Sequence, residues 1–299
     1  MNALPNRFAV FALGIAVYVL SATATPGSIR SARAEELKRV SERLIPFESG
    51  GLIKIQDKNG KLIVDTWPRH EVRVQITRVV RAGDRAKGEE LMKDLTTDIE
   101  VRSDRIDIVS QFPKRTETLG LLDFLGRKNV TVNIDYYVQV PEESDVDLST
   151  SNGEVRVRGI QGKVEATTTN GDVHAENVKG EVVLTTTNGE VHLADIAGNA
   201  TAHTTNGSVV AEIRRLSPKG SVELETTNGN VAAYFGSDLK ADLEAQTTNG
   251  RVSIGFPIVR EGVKTSRTIR GTIQGGGAKI TLGTTNGDVE VRRIAERRR

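Results

Sequence analysis

From residue 141 onward apolar and polar residues alternate with period two, and Thr-Thr-Asn-Gly or Thr-Ser-Asn-Gly interrupts the alternation at regular intervals. Asn-Gly pairs stand at 59, 152, 170, 188, 206, 228, 249 and 286, and from 152 the intervals are 18, 18, 18, 22, 21 and 37 residues. Three residues after each of the last seven asparagines comes valine: Val155, Val173, Val191, Val209, Val231, Val252 and Val289. Two positions further stand Val157, Ala175, Leu193, Ala211, Ala233, Ile254 and Val291, and two before each asparagine stands a threonine. Two more apolar positions precede each threonine, as at Val182 and Leu184. Alternation of this kind predicts short strands that bury one face of Val, Ala, Leu and Thr and expose Glu, His, Lys and Asp on the other.

Asn-Gly between alternating runs is also a hairpin signal, and Lys179-Gly180 offers a second tight turn, so an antiparallel meander is one reading. Such a sheet would carry a continuous apolar face with no segment large enough to cover it, and a barrel that wide would have a lumen these small residues cannot fill. A parallel β-solenoid (β-helix) with coils of about 18–22 residues removes the difficulty, because coils stack about 4.8 Å apart and equivalent residues lie over one another. The expected fold is therefore all-β and solenoidal, with one short helix near the N-terminal end. In it the glycines supply positive φ at a corner, threonine hydroxyls are shared up and down a column, and the asparagines form an amide ladder. The expected corner ladder is Asn152-Gly153, Asn170-Gly171, Asn188-Gly189, Asn206-Gly207, Asn228-Gly229, Asn249-Gly250 and Asn286-Gly287.

The pattern divides the chain into a leader (1–34), a linker (35–46), an N-terminal β-rich part (47–140), the regular solenoid (141–294) and a basic tail (295–299). Within 47–140, Asn59-Gly60 is followed by Leu62 and Val64 at the solenoid offsets, and "HEVRVQITRVV" alternates as a strand. "AGDRAKGEELMKDL" predicts a helix near 84–95 with Asp84 as N-cap, followed by strands at Ile99–Val101 and Ile106–Val109. Residues 112–129 read as an irregular apolar loop, and "VTVNIDYYVQVP" as a long strand into the coils. Residues 255–279 read as a loop insertion protruding between the last two coils, a first choice for a specific binding element. The helix is expected to cover one end of the stack, and Arg292, Arg293 and Arg297–Arg299 to protect the other by charge.

Aromatic residues make up only 4% of the 299, which suits a thin core. The absence of cysteine excludes disulfides, thiolate metal sites, cysteine nucleophiles and a lipidated cysteine anchor. Arg7, the apolar run Phe8–Leu20 and the Ala-x-Ala sites at Ala22–Ala24 and Ala32–Ala34 read as a signal peptide, cleaved after Ala34 or Ala24. The run has 13 residues, short of the roughly 20 of a membrane span, so membrane attachment is expected only through an uncleaved leader. Loss of residues 1–34 removes Arg7, Arg30 and Arg33 and no acid, so the net charge falls from +2 to −1. A near-neutral chain argues against nucleic acid as a partner. The expected location is periplasmic, secreted or at the cell surface.

"GGLIKIQDKNGKLIVDTWPRHEVRV", "YYVQVPEESDVDLSTSNGEVRV", the tandem Thr-Thr-Asn-Gly coils and "GGGAKITLGTTNGDVEV" together resemble the bacterial adhesin-like β-solenoid family, a domain family of unknown function. The resemblance covers roughly residues 47–294. It implies adhesion and supplies no catalytic residues.

Several outward constellations bear on chemistry. His174 and His192 should stack about 5 Å apart, a geometry that with Glu176 suggests a transition-metal pair; the file continues as Val210 and Ala232, which favours plain solvated surface. Glu154, Asp172 and Glu190 form an acidic column that continues as Ser208, Asn230 and Arg251, which reads as turn-compatible polarity rather than a calcium site. Thr167/Thr169 and Thr185/Thr187 resemble an ice-binding hydroxyl array, broken by His203 and Glu225. His70 and His203 occur singly. Polysaccharide-cleaving β-helices need converging carboxylates or a basic residue in a groove, and no converging pair can be assigned. The sequence therefore predicts a non-enzymatic, cofactor-free module binding a glycan, cell-wall polymer or envelope protein. An envelope-stress accessory protein is the alternative, and a carbohydrate-active enzyme the weaker one.

Overall fold

The computed structural model describes residues 16–18, 35–113, 130–261 and 265–295. The leader (apart from the three-residue strand Ala16–Tyr18), most of the segment 112–129 read from the sequence as a loop, and the tail at 296–299 lie outside the described residues. Within them, strands assemble into two sheets of twelve. One sheet leads into the Asn-Gly corners and the other leads out, so each coil contributes one strand to each. Strand Val173–Lys179 leaves the corner, Val182–Thr185 runs back in the opposite sheet, and Val191–Ala197 begins the next coil.

Neighbouring coils pair in parallel and in register. Val173 lies between Val155 and Val191, His174 between Arg156 and His192, and Val209 continues the valine column beyond Val191. In the opposite sheet Val164, Val182 and Ala200 form one column, and Ala166, Leu184 and Ala202 the next. These inward columns are completely or almost completely buried and join one hydrophobic core along the stack. The solenoid is thus two sheets thick, filled mainly by Val, Ala, Leu and Ile.

The corner shows what each letter of the repeat does. The inward threonine hydroxyl donates to the glycine carbonyl of the adjacent coil, as Thr186 Oγ1 does to Gly171 O at 2.9 Å and Thr204 Oγ1 to Gly189 O at 2.9 Å. The hydroxyls are therefore not shared within their own column. Glycine is required chiefly by closeness of approach. A Cβ on Gly207 (φ +146°) would lie 2.0 Å from Gly189 O, and Gly189, whose φ lies outside the left-handed range, would place its Cβ 2.0 Å from Gly171 O. Positive φ alone, the reason read from the sequence, does not cover both. At the opposite corner Asn177 (φ 53°) and Asp195 (φ 56°) take the left-handed conformation their side chains tolerate, and each precedes a buried residue, Val178 or Ile196.

Coil order in space departs from coil order in sequence at both ends. Strand Ala278–Asn286 pairs with Ser221–Asn228 on one side and Ala241–Asn249 on the other. The last coil is thus inserted between the two that precede it, and Val289–Arg293 likewise lies between Val231–Phe235 and Val252–Ile254. At the other end Thr131–Val140 lies outside Leu62–Thr66, between it and Glu71–Ala82.

Three expectations are corrected by these ends. Residues 35–46 are not a linker: Glu35–Pro46 is a strand paired antiparallel with Glu71–Ala82 over its whole length. Its charges are matched across the pair, Glu42 with Arg73 at 2.7 Å and Glu36 with Arg81 at 2.7 Å. Residues 255–279 do not protrude throughout: Thr268–Ile273 pairs antiparallel with Ala241–Asn249 and buries Ile269 and Ile273, which closes that sheet edge. Arg292 and Arg293 are consequently not at the end of the stack. Arg292 Nε instead meets Glu290 at 2.6 Å, and Arg293 lies over the Phe256 ring at 5.3 Å.

Helix Arg85–Asp94 is capped by Asp84, whose carboxylate accepts from the Ala86 amide at 2.8 Å. It buries Leu91 and Met92 while packing on Glu35–Pro46 and Glu71–Ala82, neighbouring strands near one end of the outgoing sheet. The opposing end strand, Thr96–Val101, follows it directly.

If close approach at the corner is what holds the stack, Gly207→Ala should cost about 3 kcal/mol or more, a loss read from the urea unfolding midpoint. Thr205→Ala, on the exposed side of the same corner, should cost less than about 0.5 kcal/mol.

Candidate functional site

The corner asparagines form a hydrogen-bonded file. Asn170 Nδ2 donates to Asn152 Oδ1, Asn188 to Asn170, Asn206 to Asn188 and Asn228 to Asn206, all at 2.8–2.9 Å. Following the spatial coil order, Asn286 then donates to Asn228 and Asn249 to Asn286, each at 2.8 Å. At the N-terminal end Asn59 donates to Asn133 at 2.7 Å, while Asn152 reaches the Lys58 carbonyl. The file saturates its own members and presents no convergent pocket.

On the outgoing sheet His174 and His192 stack with ring centroids 5.0 Å apart and planes 7° apart. Their nitrogens face the acidic column: His192 Nε2 is 2.8 Å from Glu190, and His174 Nε2 is 3.8 Å from Glu154. Glu176 belongs to the next outward file, in register with Arg158 and Ala194. No three His, Asp or Glu side chains converge as metal ligands among the described residues. Burial is the main cause that holds the His174 imidazole below the usual histidine value, and the positive charges of His192 and Arg156 act the same way. The acidic column has a structural use: Asp172 accepts from the Glu190 amide at 2.8 Å, and Asp288 from the Arg251 amide at 2.8 Å. Glu154 pairs with Arg156 and Lys61.

The incoming sheet carries the outward Thr-x-Thr rows. Thr167 is in register with Ser149 and Thr185, Thr185 with His203, and His203 with Glu225. The exchanged coil order then places Gly283, not Gln246, beside Glu225, with Gln246 on its far side. A notch of about 380 Å³ opens there, lined by His203, Glu225, Gln246, Gly283 and neighbouring threonines, with Thr268 of the antiparallel edge strand at its far wall.

A buried polar group escaped the sequence reading. Asp57 occupies the place, two before Asn59, where the later coils carry their inward threonine. It is 8% exposed, and neither carboxylate oxygen closes a hydrogen bond of good geometry. Burial pushes its carboxyl up from 3.8 to about 6; the Ser110 hydroxyl and the Lys58 and Asn59 amides oppose the rise, and Asp135 adds to it. Beside it the Tyr136 hydroxyl meets Ser110 at 2.7 Å and Thr97 at 3.1 Å, and burial raises its pKa to about 12. Arg78, half-buried, donates to Thr97 at 3.1 Å. The signal was one letter: aspartate where seven coils have threonine.

A family model, Toastrack DUF4097, matches residues 98–292. The chain belongs to the Toastrack DUF4097 family. No curated protein matches the Toastrack chain. Among solved structures it is similar to a candidate cell adhesion protein from Clostridium sporogenes at 11% identity and TM-score 0.36, over 85% of this chain and 99% of that one. It is also similar to a candidate adhesin from Bacteroides fragilis, at 12% identity and TM-score 0.37 over 85% and 97% of the two chains. A third is a candidate lipid binding protein from Parabacteroides distasonis, at 12% identity and TM-score 0.28 over 86% and 97%.

Two titrations follow for this Toastrack chain. Because the folded-state pKa of Asp57 is raised, its contribution favours the fold below about pH 4 and is lost as pH rises through about 6. Asp57→Thr should therefore stabilise the protein by up to about 3 kcal/mol at pH 7.5 and much less at pH 4, measured by urea unfolding of both proteins at both pH values. His174 should titrate below the ordinary histidine value by NMR and move up in His192→Val, which removes the neighbouring charge.

Proposed function

We propose that this chain is an exported, non-enzymatic β-solenoid that acts at the cell surface or within the envelope, binding a glycan, wall polymer or protein through its outer faces. The observation carrying this reading is the incoming sheet's unbroken outward file from Ser149 through Thr167, Thr185, His203 and Glu225, set at one-strand spacing on a rigid two-sheet core. A scaffold with a repeat of about 4.8 Å offers equivalent weak contacts side by side, and on a repetitive polymer these add by effective concentration. The apolar leader motivates the export part of the proposal.

A non-enzymatic role is supported by how the outward carboxylates are used. Glu212 and Asp195 pair with Arg214, Glu244 with Arg270, Glu290 with Arg292 and Asp107 with Arg105. Acid–base cleavage of a glycoside needs instead two carboxyl groups facing each other across a bond, about 5–9.5 Å apart.

The full chain, expressed with its own leader and recovered from the envelope fraction, should be retained by insoluble wall polymer or by a glycan array. One stoichiometric protein captured by crosslinking, with no polymer retention, would favour the envelope-accessory reading. Release of new reducing ends from the polymer would overturn the non-enzymatic assignment, and absence of both polymer and protein partners would overturn the interaction reading.

A further inference from the structure

Most glycines around the corners have a backbone reason to be glycine, because a Cβ would strike a carbonyl of the adjacent coil. Gly283 does not. It sits inside strand Ala278–Asn286 outside the left-handed φ range, itself buried beneath the neighbouring side chains, and a Cβ there would meet nothing nearer than Glu225 Cγ at 3.7 Å, an ordinary contact. Glycine within a strand costs about 0.5–1 kcal/mol relative to alanine, so the position gives up stability without relieving any backbone strain. Its one local effect is to delete a side chain from an outward file that is otherwise filled: Ser149, Thr167, Thr185, His203 and Glu225 on one side, Gln246 on the other.

We propose that the notch over Gly283 is a subsite for a single pyranose ring, neutral or bearing an amino group. The proposal rests on the interaction reading above and gives that surface a ligand class. Removing one side chain leaves about 9–10 Å, two strand spacings, between the strands carrying Glu225 and Gln246. The volume of about 380 Å³ lies at the small end of ligand sites. Its walls offer what vicinal hydroxyls need: the Glu225 carboxylate as acceptor, the Gln246 amide as donor and acceptor, and the Thr285 and Thr268 hydroxyls as both. Glu225 is the one carboxylate lining the notch, 3.6 Å from His203, and it disfavours anionic sugars while offering a partner to an ammonium group. The site is a product of coil exchange. With coils stacked in chain order, Gln246 would lie beside Glu225 and Gly283 beyond it, and the file would have no gap.

The test is calorimetric titration of the full chain with cello-, manno- and chito-oligosaccharides, deacetylated chito-oligosaccharides and oligogalacturonate. Binding of neutral or amino sugars, with oligogalacturonate refused, is expected. Gly283→Gln, which completes the file with its neighbour's residue type, should weaken binding at least tenfold while leaving the urea midpoint unchanged or raised. Glu225→Gln should weaken the deacetylated series more than the neutral ones, and this reads the same site without touching the glycine should Gly283→Gln fold poorly. Equal affinity in the wild type and all these variants would overturn the notch and leave the interaction reading standing. Failure of every saccharide to bind the wild type would overturn the notch as well; the polymer and crosslinking outcomes would then decide the broader reading on their own.

Discussion

The close passage of backbone over backbone at the Asn-Gly corner is the constraint on which the solenoid depends. There the glycine carbonyl of one coil takes the space a Cβ of the next would need, near 2 Å. It also accepts the inward threonine hydroxyl of that next coil, while the asparagine amides bond along the outside. Three residue types thus serve one geometry. Glycine permits the approach, threonine satisfies a carbonyl turned toward the core, and asparagine carries the pairing around the bend where the strands end. An unsatisfied carbonyl at each corner would repeat once per coil, so the penalty would scale with the length of the stack.

The same repetition made the architecture legible and hid its order. Val173, Val191 and Val209 specify an inward column because they recur at one offset, and that offset is all a parallel stack requires. Val231, Val289 and Val252 satisfy the offset equally in either sequence of stacking, so no hydrophobic pattern distinguishes the chain order from the exchanged one. What decides it is the segment between them. Ile269 and Ile273 alternate to bury one face of a strand that runs antiparallel to the coils, with Val259–Arg260 beyond it, and the coil it pairs with is the one that precedes it in the chain. The last coil is left to fill the interior position. Residues 35–46 were misread for a related reason: seven charged or polar side chains in twelve disguise a strand whose partners for Glu42 and Glu36 lie on Glu71–Ala82, 31 and 45 residues away.

Irregularities in so regular a structure fall into two physical kinds. Asp57 breaks the threonine column on the inside, where it has no coil-to-coil carbonyl bond and is held against desolvation beside Ser110, Tyr136 and Arg78. It lies where the uniform stack gives way to the exchanged N-terminal coils and the packing beneath it includes tyrosine in place of valine. Gly283 breaks the outward file, buried beneath the side chains beside it, where nothing in the backbone demands it. The first kind accommodates a seam between two packing regimes; the second alters only what the surface presents.

That distinction bears on where recognition can reside. The interior is filled by apolar columns in contact from end to end, and the corner amides are consumed by one another, so neither has groups left to engage a ligand. The outgoing face spends its carboxylates on arginine partners, on the histidine pair and on backbone amides. The incoming face also pairs carboxylates, Glu244 with Arg270 and Asp107 with Arg105, but its file from Ser149 through Thr167 and Thr185 presents short uncharged hydroxyls that neither neutralise one another nor reach across to the next file. Selectivity on such a face has to come from a departure from the repeat, since identical rows can fix a polymer's orientation but not its register. Glutamate, glycine and glutamine in three successive coils supply that departure, and only the exchanged order of the last two coils makes them consecutive.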